Sequence, residues 1–171
     1  MKRVIMLFLS LVLLSIVVLA QDSRRDKRRT RDREKSEEIQ KLIDQGNLRF
    51  IANFAHPMSG GSIHLTSEYT LDIEDGKVTA YLPFFGRAYS VDYGAMDGGI
   101  KFSEMASSLT WEKEKKGNRA VMEVKTNRDA FQVQLSVTPL GYASLNVISN
   151  NRQPIRFSGI VVKISKEDGG T

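Results

Sequence analysis

Apolar side chains recur with two different periods along the chain, and the change falls at Gly46-Asn47. Before it, Ile39, Leu42 and Ile43 repeat at helical spacing, Glu37 and Lys41 stand four apart in the favourable order, and Gly46 follows as a stop. The spacing predicts one amphipathic helix of about 10 to 16 residues ending near Gln45. After it the period is two. Leu48, Phe50, Ala52 and Phe54 alternate with Arg49, Ile51 and Asn53, and Tyr69, Leu71 and Ile73 alternate with Thr70 and Asp72. The alternation resumes at Val78, Ala80 and Leu82 after Glu74-Asp75-Gly76-Lys77, and an Asp-Gly pair between two alternating runs is a strong hairpin signal.

A second hairpin is expected at Lys115-Lys116-Gly117-Asn118, between the Leu109-Thr110-Trp111 and Val121-Met122-Glu123-Val124 runs. Phe131 to Val137, Tyr142 to Ile148 and Phe157 to Ile164 follow, separated by turns at Pro139-Leu140-Gly141 and at Asn150-Asn151-Arg152-Gln153-Pro154. With short pieces at Ile63 and Ile100-Phe102, this makes about eight or nine strands joined mostly by tight turns. The expected fold is mostly β, in the α+β sense: an N-terminal amphipathic helix packed on a curved antiparallel sheet of about eight strands, open or closed into a small barrel. A lipid-facing outer-membrane barrel does not fit. Its strands need about 9 to 11 residues with an apolar outer face, and most runs here are shorter.

The first residues change the picture of where this domain works. Lys2 and Arg3 precede Val4 to Leu19, a run without charge, and Val18-Leu19-Ala20 puts small residues before the polar Gln21. That is the pattern of a secretory signal peptide cleaved after Ala20, with retention as an anchor as the alternative. The expected organisation is a signal peptide at residues 1–20, a basic arm at 21–35, and a single β-rich domain with its helix at 36–171. The expected location is outside the cytoplasm, with no transmembrane segment once the leader is gone.

Charge is concentrated in the arm. Residues 24–35 hold eight basic groups against Asp26, Asp32 and Glu34, a net +5, while the whole chain is at +5 and Lys2 and Arg3 supply two of those charges. The rest of the processed chain is therefore close to neutral. With no apolar residue at positions 21–35, the arm reads as flexible, or helical only by propagation from the helix that follows. It carries no interleaved aromatic for base stacking, and an exported protein rarely meets nucleic acid, so the expected counterpart is an anionic surface such as lipid phosphates or acidic polymers, with a solvated tether as the plainer reading.

Composition removes several chemistries. The chain has no cysteine, which excludes disulfides, thiolate metal sites and a cysteine nucleophile, and only two histidines, His56 and His64. Neither sits in a recurring metal-binding spacing, there is no Gly-x-Ser-x-Gly elbow, and no cofactor is expected. Asp92, Asp97 and Glu104 are candidates for paired-carboxylate hydrolysis by neighbourhood alone.

The stretch that fits neither period is Tyr81-Leu82-Pro83-Phe84-Phe85-Gly86-Arg87-Ala88-Tyr89, continuing through Tyr93 to Phe102. It holds six of the thirteen aromatics that follow the leader, punctuated by glycines. Aromatics on such a loop line a ligand mouth or plug a barrel end. With the Asp97-Gly98-Gly99-Ile100-Lys101-Phe102 piece, the helix, the Tyr69 strand and the closing segment from Phe157 to Val161, this motif resembles the family known as domain of unknown function 4251, a group of secreted bacteroidete proteins. The resemblance spans nearly all of residues 36–165 and implies a β-rich single domain of the Gram-negative envelope. It supplies no catalytic residues. Many relatives carry a lipid-accepting cysteine at the end of the leader, and its lack here implies a chain that is not a lipoprotein.

Three readings follow. In the first, a non-enzymatic domain binds a small amphipathic or anionic ligand at a barrel mouth built from Phe84, Phe85, Arg87, Tyr89 and Tyr93, with Arg87 meeting the anion. In the second, the same loop is core and the domain is a structural or protein-interaction module of the envelope. In the third and weakest, carboxylates near Asp92 and Asp97 hydrolyse a substrate. Interior space separates the first two: Phe50, Phe54, Tyr81, Trp111 and Phe131 filling the barrel would leave no room for a ligand.

Overall fold

The computed structural model describes residues 25–89 and 98–164. The leader, Tyr93, Asp92 and Asp97 lie outside the described residues. One helix, α1 (residues 25–45), precedes ten strands, β1 (Leu48–Pro57), β2 (Ile63–His64), β3 (Thr70–Glu74), β4 (Lys77–Leu82), β5 (Ile100–Met105), β6 (Ser108–Glu114), β7 (Gly117–Lys125), β8 (Ala130–Val137), β9 (Tyr142–Ser149) and β10 (Ile155–Val162).

The helix is longer than its apolar spacing predicts, because it extends back through residues 25–35 of the arm. That extension buries nothing. It is carried by ion pairs one turn apart, Arg28–Asp32 at 3.9 Å, Arg33–Glu37 at 3.0 Å and Lys35–Glu38 at 2.9 Å, each contributing a few tenths of a kcal/mol. The other half of α1 is anchored by Ile39, Leu42 and Ile43, all buried, at about 1.5–3 kcal/mol per side chain. It ends where expected. The Asn47 N–H donates to Leu42 O and the Gly46 N–H to Ile43 O, the paired bonds that satisfy the last carbonyls of a glycine-terminated helix.

The strands form one antiparallel sheet in the order β5-β4-β3-β1-β10-β9-β8-β7-β6, with β2 paired to β1. The sheet curls into a half-barrel around a single core. Inward positions are apolar along every long strand, for example Val133, Leu135 and Val137 on β8 and Leu145 and Val147 on β9, while outward neighbours are polar or half-exposed. The two ends of this order are consecutive in sequence. Only Ala106 and Ser107 separate β5 from β6, and each is bonded to a different side, the Ala106 N–H to Gly76 O and the Ser107 N–H to Glu123 O. Among the described residues no ladder joins β5 to β6, so the curl is stitched at that corner and otherwise has a seam.

Two local features set the register. Asp75 and Gly76 both have positive φ, 49° and 84°, which gives the β3–β4 hairpin the twist its two-residue loop needs. Between Ala52 and Phe54 the β1–β10 pairing slips by one residue. The bulge reverses the inside-outside parity of β1, so Ala55 points inward and Phe54 outward. Strand β10 meets this bulge with Gly159, where a Cβ would lie 1.9 Å from Ile51 O, so the two backbones approach as closely as they do only because no side chain intervenes.

The proposed interior aromatics divide accordingly. Phe50 and Phe131 are buried and Trp111 packs against the core, but Phe54 is 40% exposed and Tyr81 46% exposed on the convex face. There Tyr81 lies between the Tyr69 ring, 5.6 Å away, and the Lys101 ammonium, 4.6 Å from its centroid. Phe157, Leu71, Leu145 and Met122 fill the interior instead.

Candidate functional site

The ends of the half-barrel differ. The end reached by the last residues of β8 and the first of β9 is covered by α1. At the other end three pieces of chain surround a cavity of about 570 Å³: residues 83–89 after β4, the β7–β8 turn at 126–129, and the β9–β10 turn at 150–154. Its apolar wall comes from Phe84, Phe102 and Phe131. Phe102 on β5 and Phe131 on β8 meet with centroids 4.8 Å apart, an inclined pair that spans the curl.

The polar wall is knitted from turn residues. The Thr126 hydroxyl accepts from the Asp129 N–H at 2.9 Å and donates to Asp129 O at 3.0 Å. The Asp129 carboxylate accepts from the Ala130 N–H at 2.8 Å, the Asn150 N–H at 3.3 Å and the Ser149 hydroxyl, which ties one turn to the next. Asn151 completes the tie, its amide donating to Arg128 O at 3.1 Å. Residues 83–89 are held against the second turn by the Gln153 N–H to Arg87 O bond at 3.1 Å, the Tyr89 N–H to Asn151 O bond at 2.8 Å, and a bridge between Ala88 and Arg152.

Lys101, Arg128 and Arg152 are the cations on the cavity wall, and Arg152 is the one set beside Phe84. Its guanidinium lies 5.3 Å from the Phe84 ring centroid and donates through Nη1 to Gly98 O and to Gly99 O, the latter at 3.0 Å. One side chain thus holds three segments that are far apart in sequence, and planar guanidinium stacked on an aromatic face is well placed to pair with an anion.

Of the residues expected at the mouth, Phe84 lines the cavity. Phe85 packs half-buried against the core, and Arg87 and Tyr89 are exposed and absent from the cavity wall, tied to it through their backbones. Arg152 lines the cavity from a turn whose sequence, Asn150-Asn151-Arg152-Gln153-Pro154, announces only a change of direction. Glu104 lines the cavity as well. His56 and His64 lie on the paired strands β1 and β2, away from it. His56 is bracketed by two hydroxyls, Ser158 at 2.8 Å and Ser62 at 2.7 Å, and His64 packs edge-on to Phe54. Among the described residues no three metal-ligating side chains come together, and no helix is long and apolar enough to cross a membrane.

The model of the family described as Domain of unknown function (DUF4251) matches residues 30–161. The chain belongs to that family. The crystal structure of a DUF4251 family protein from Bacteroides eggerthii DSM 20697, at 1.95 Å resolution, superimposes on this DUF4251 chain with a TM-score of 0.63 at 17% identity. The match covers 78% of this chain and 91% of that one, so the two share the fold of the whole domain. No curated protein matches the chain.

Proposed function

We propose that this DUF4251 domain is a non-catalytic binding module of the bacterial cell envelope, exported on its N-terminal leader, which takes a small amphipathic anion at the open end of the half-barrel. The observation that carries the reading is the pairing of an aromatic wall, Phe84, Phe102 and Phe131, with a guanidinium fixed beside it. A volume of about 570 Å³ is in the range of small-molecule sites, and the wall is built by side chains already committed to hydrogen bonds, so little ordering cost attends binding. The non-catalytic reading is supported by Asp129. Its carboxylate has three donors on it and serves as a joint between turns, which among the described wall residues leaves Glu104 alone, whereas paired-carboxylate hydrolysis needs two acids available to substrate.

The envelope interaction module is the second reading, favoured by an interior whose axis is filled by Phe50, Phe157 and Leu145. Thermal shift separates the two. With decanoate or cholate below micellar concentration, at about a hundred times the dissociation constant, the melting temperature should rise by roughly 5 to 10 °C. Arg152→Gln should abolish that rise. No shift with any amphipathic anion would leave the interaction module as the surviving reading. Processing after Ala20 is checked by N-terminal sequencing of the exported protein, which should begin at Gln21.

A further inference from the structure

The helix end carries its own surface, independent of what occupies the cavity. Residues 25–35 of α1 are exposed on every side and project from the domain. The three ion pairs along α1 leave Arg25, Lys27, Arg29 and Arg31 outside them. Beside this helix the β8–β9 turn presents Leu140, 41% exposed, and Tyr142, 64% exposed, which form one recess together with Arg31 and Lys35 and with the acidic Asp32, Glu34 and Glu38, of which Asp32 and Glu38 are paired to Arg28 and Lys35. The turn that carries them is firm. The Thr138 N–H and hydroxyl both bond Tyr142 O, and the Gly141 carbonyl accepts from the Val161 N–H at 2.8 Å.

We infer that this end of the molecule docks on an anionic lipid bilayer. Charge complementarity supplies the first half of the argument, since the basic groups are gathered here while the remainder of the processed chain is near neutral. The second half is the aliphatic and aromatic pair held at the same level. A soluble polyanion has no use for it, whereas a bilayer takes Leu among its acyl chains and Tyr, with its polar tip, at the headgroups. Geometry agrees. Strand β9 runs eight residues from Tyr142 at this end to Ser149 at the cavity, about 25 Å, so a docked domain holds its cavity away from the bilayer and open to solvent.

The test uses the chain from Gln21, which keeps the entire core from Ile39 to Val161. Sedimentation with phosphatidylcholine vesicles containing about one-third phosphatidylglycerol should capture the protein at low salt and release it as salt rises, while phosphatidylcholine alone captures none. Replacing Arg25, Lys27, Arg29 and Arg31 by Gln should weaken partitioning roughly fivefold per charge. Leu140→Ser with Tyr142→Ser should weaken it about tenfold without changing retention on heparin. Leu140→Ser alone serves if the pair lowers the melting temperature. Equal capture by neutral vesicles, capture indifferent to Leu140 and Tyr142, or heparin binding without vesicle binding would each overturn the inference, as would no binding at all.

Discussion

At the helix end of the half-barrel, closure is apolar: Ile39, Leu42 and Ile43 enter the core and exclude water. At the mouth, closure is attempted by loops without an apolar stripe, and their backbone groups are satisfied through Thr126, Asp129, Ser149 and Asn151. The same strands run between the two, so the difference lies in what each end has available to bury. A plug of aliphatic side chains leaves no space, whereas a rim of hydrogen-bonded turns holds its shape around an opening.

Five substitutions test that contrast. The largest effect is expected at the plug, where Leu42→Ala should cost about 3 kcal/mol in chemical denaturation, the value for an aliphatic side chain removed from a packed site. Asp129→Ala should cost about 2 kcal/mol, since the Ser149 hydroxyl and the Ala130 and Asn150 N–H groups lose their acceptor, and it should also erase the thermal shift by anions. If Asp129→Ala proved as harmless as a surface change, the rim would not be the rigid element described. Arg152→Gln should cost less than about 1 kcal/mol of stability while removing anion binding. Arg87→Ala and Tyr89→Ala should stay within about 0.5 kcal/mol and leave any anion-induced shift intact, and loss of that shift in either would return the mouth to those residues.

What was legible in sequence was local. The helix stop at Gly46, the Asp75-Gly76 hairpin and the Lys115-Lys116 reversal stand where turn chemistry and a change of period put them. Alternation also identified the inward positions Leu48, Phe50 and Ala52 on β1, Leu71 and Ile73 on β3, and Val78, Ala80 and Leu82 on β4. It failed at Phe54, because one inserted residue reverses parity and nothing in the run Ala52-Asn53-Phe54-Ala55 marks the insertion. The length of α1 escaped for a related reason: its first turns are sustained by charge spacing, with no apolar periodicity to reveal them. The mouth loop was recognisable as unusual, and Phe84 belongs to the cavity. Arg152 was not recognisable, since its meeting with Phe84, Gly98 and Gly99 depends on long-range strand pairing that brings two distant turns together.

The corner at Ala106 and Ser107 has a mechanical meaning. In a fully laced cylinder the number of strands and their stagger dictate the bore, and a guest must suit it. Here Phe102 and Phe131 face each other from strands that lie on opposite arms of an unlaced collar, hinged at two residues. Among the described residues, spreading those arms breaks that ring contact, the Arg152 bonds to Gly98 and Gly99 and the ties of residues 87–89 to the β9–β10 turn, but no rung between β5 and β6, so the width of the slit is set by side chains and loops and not by a ladder.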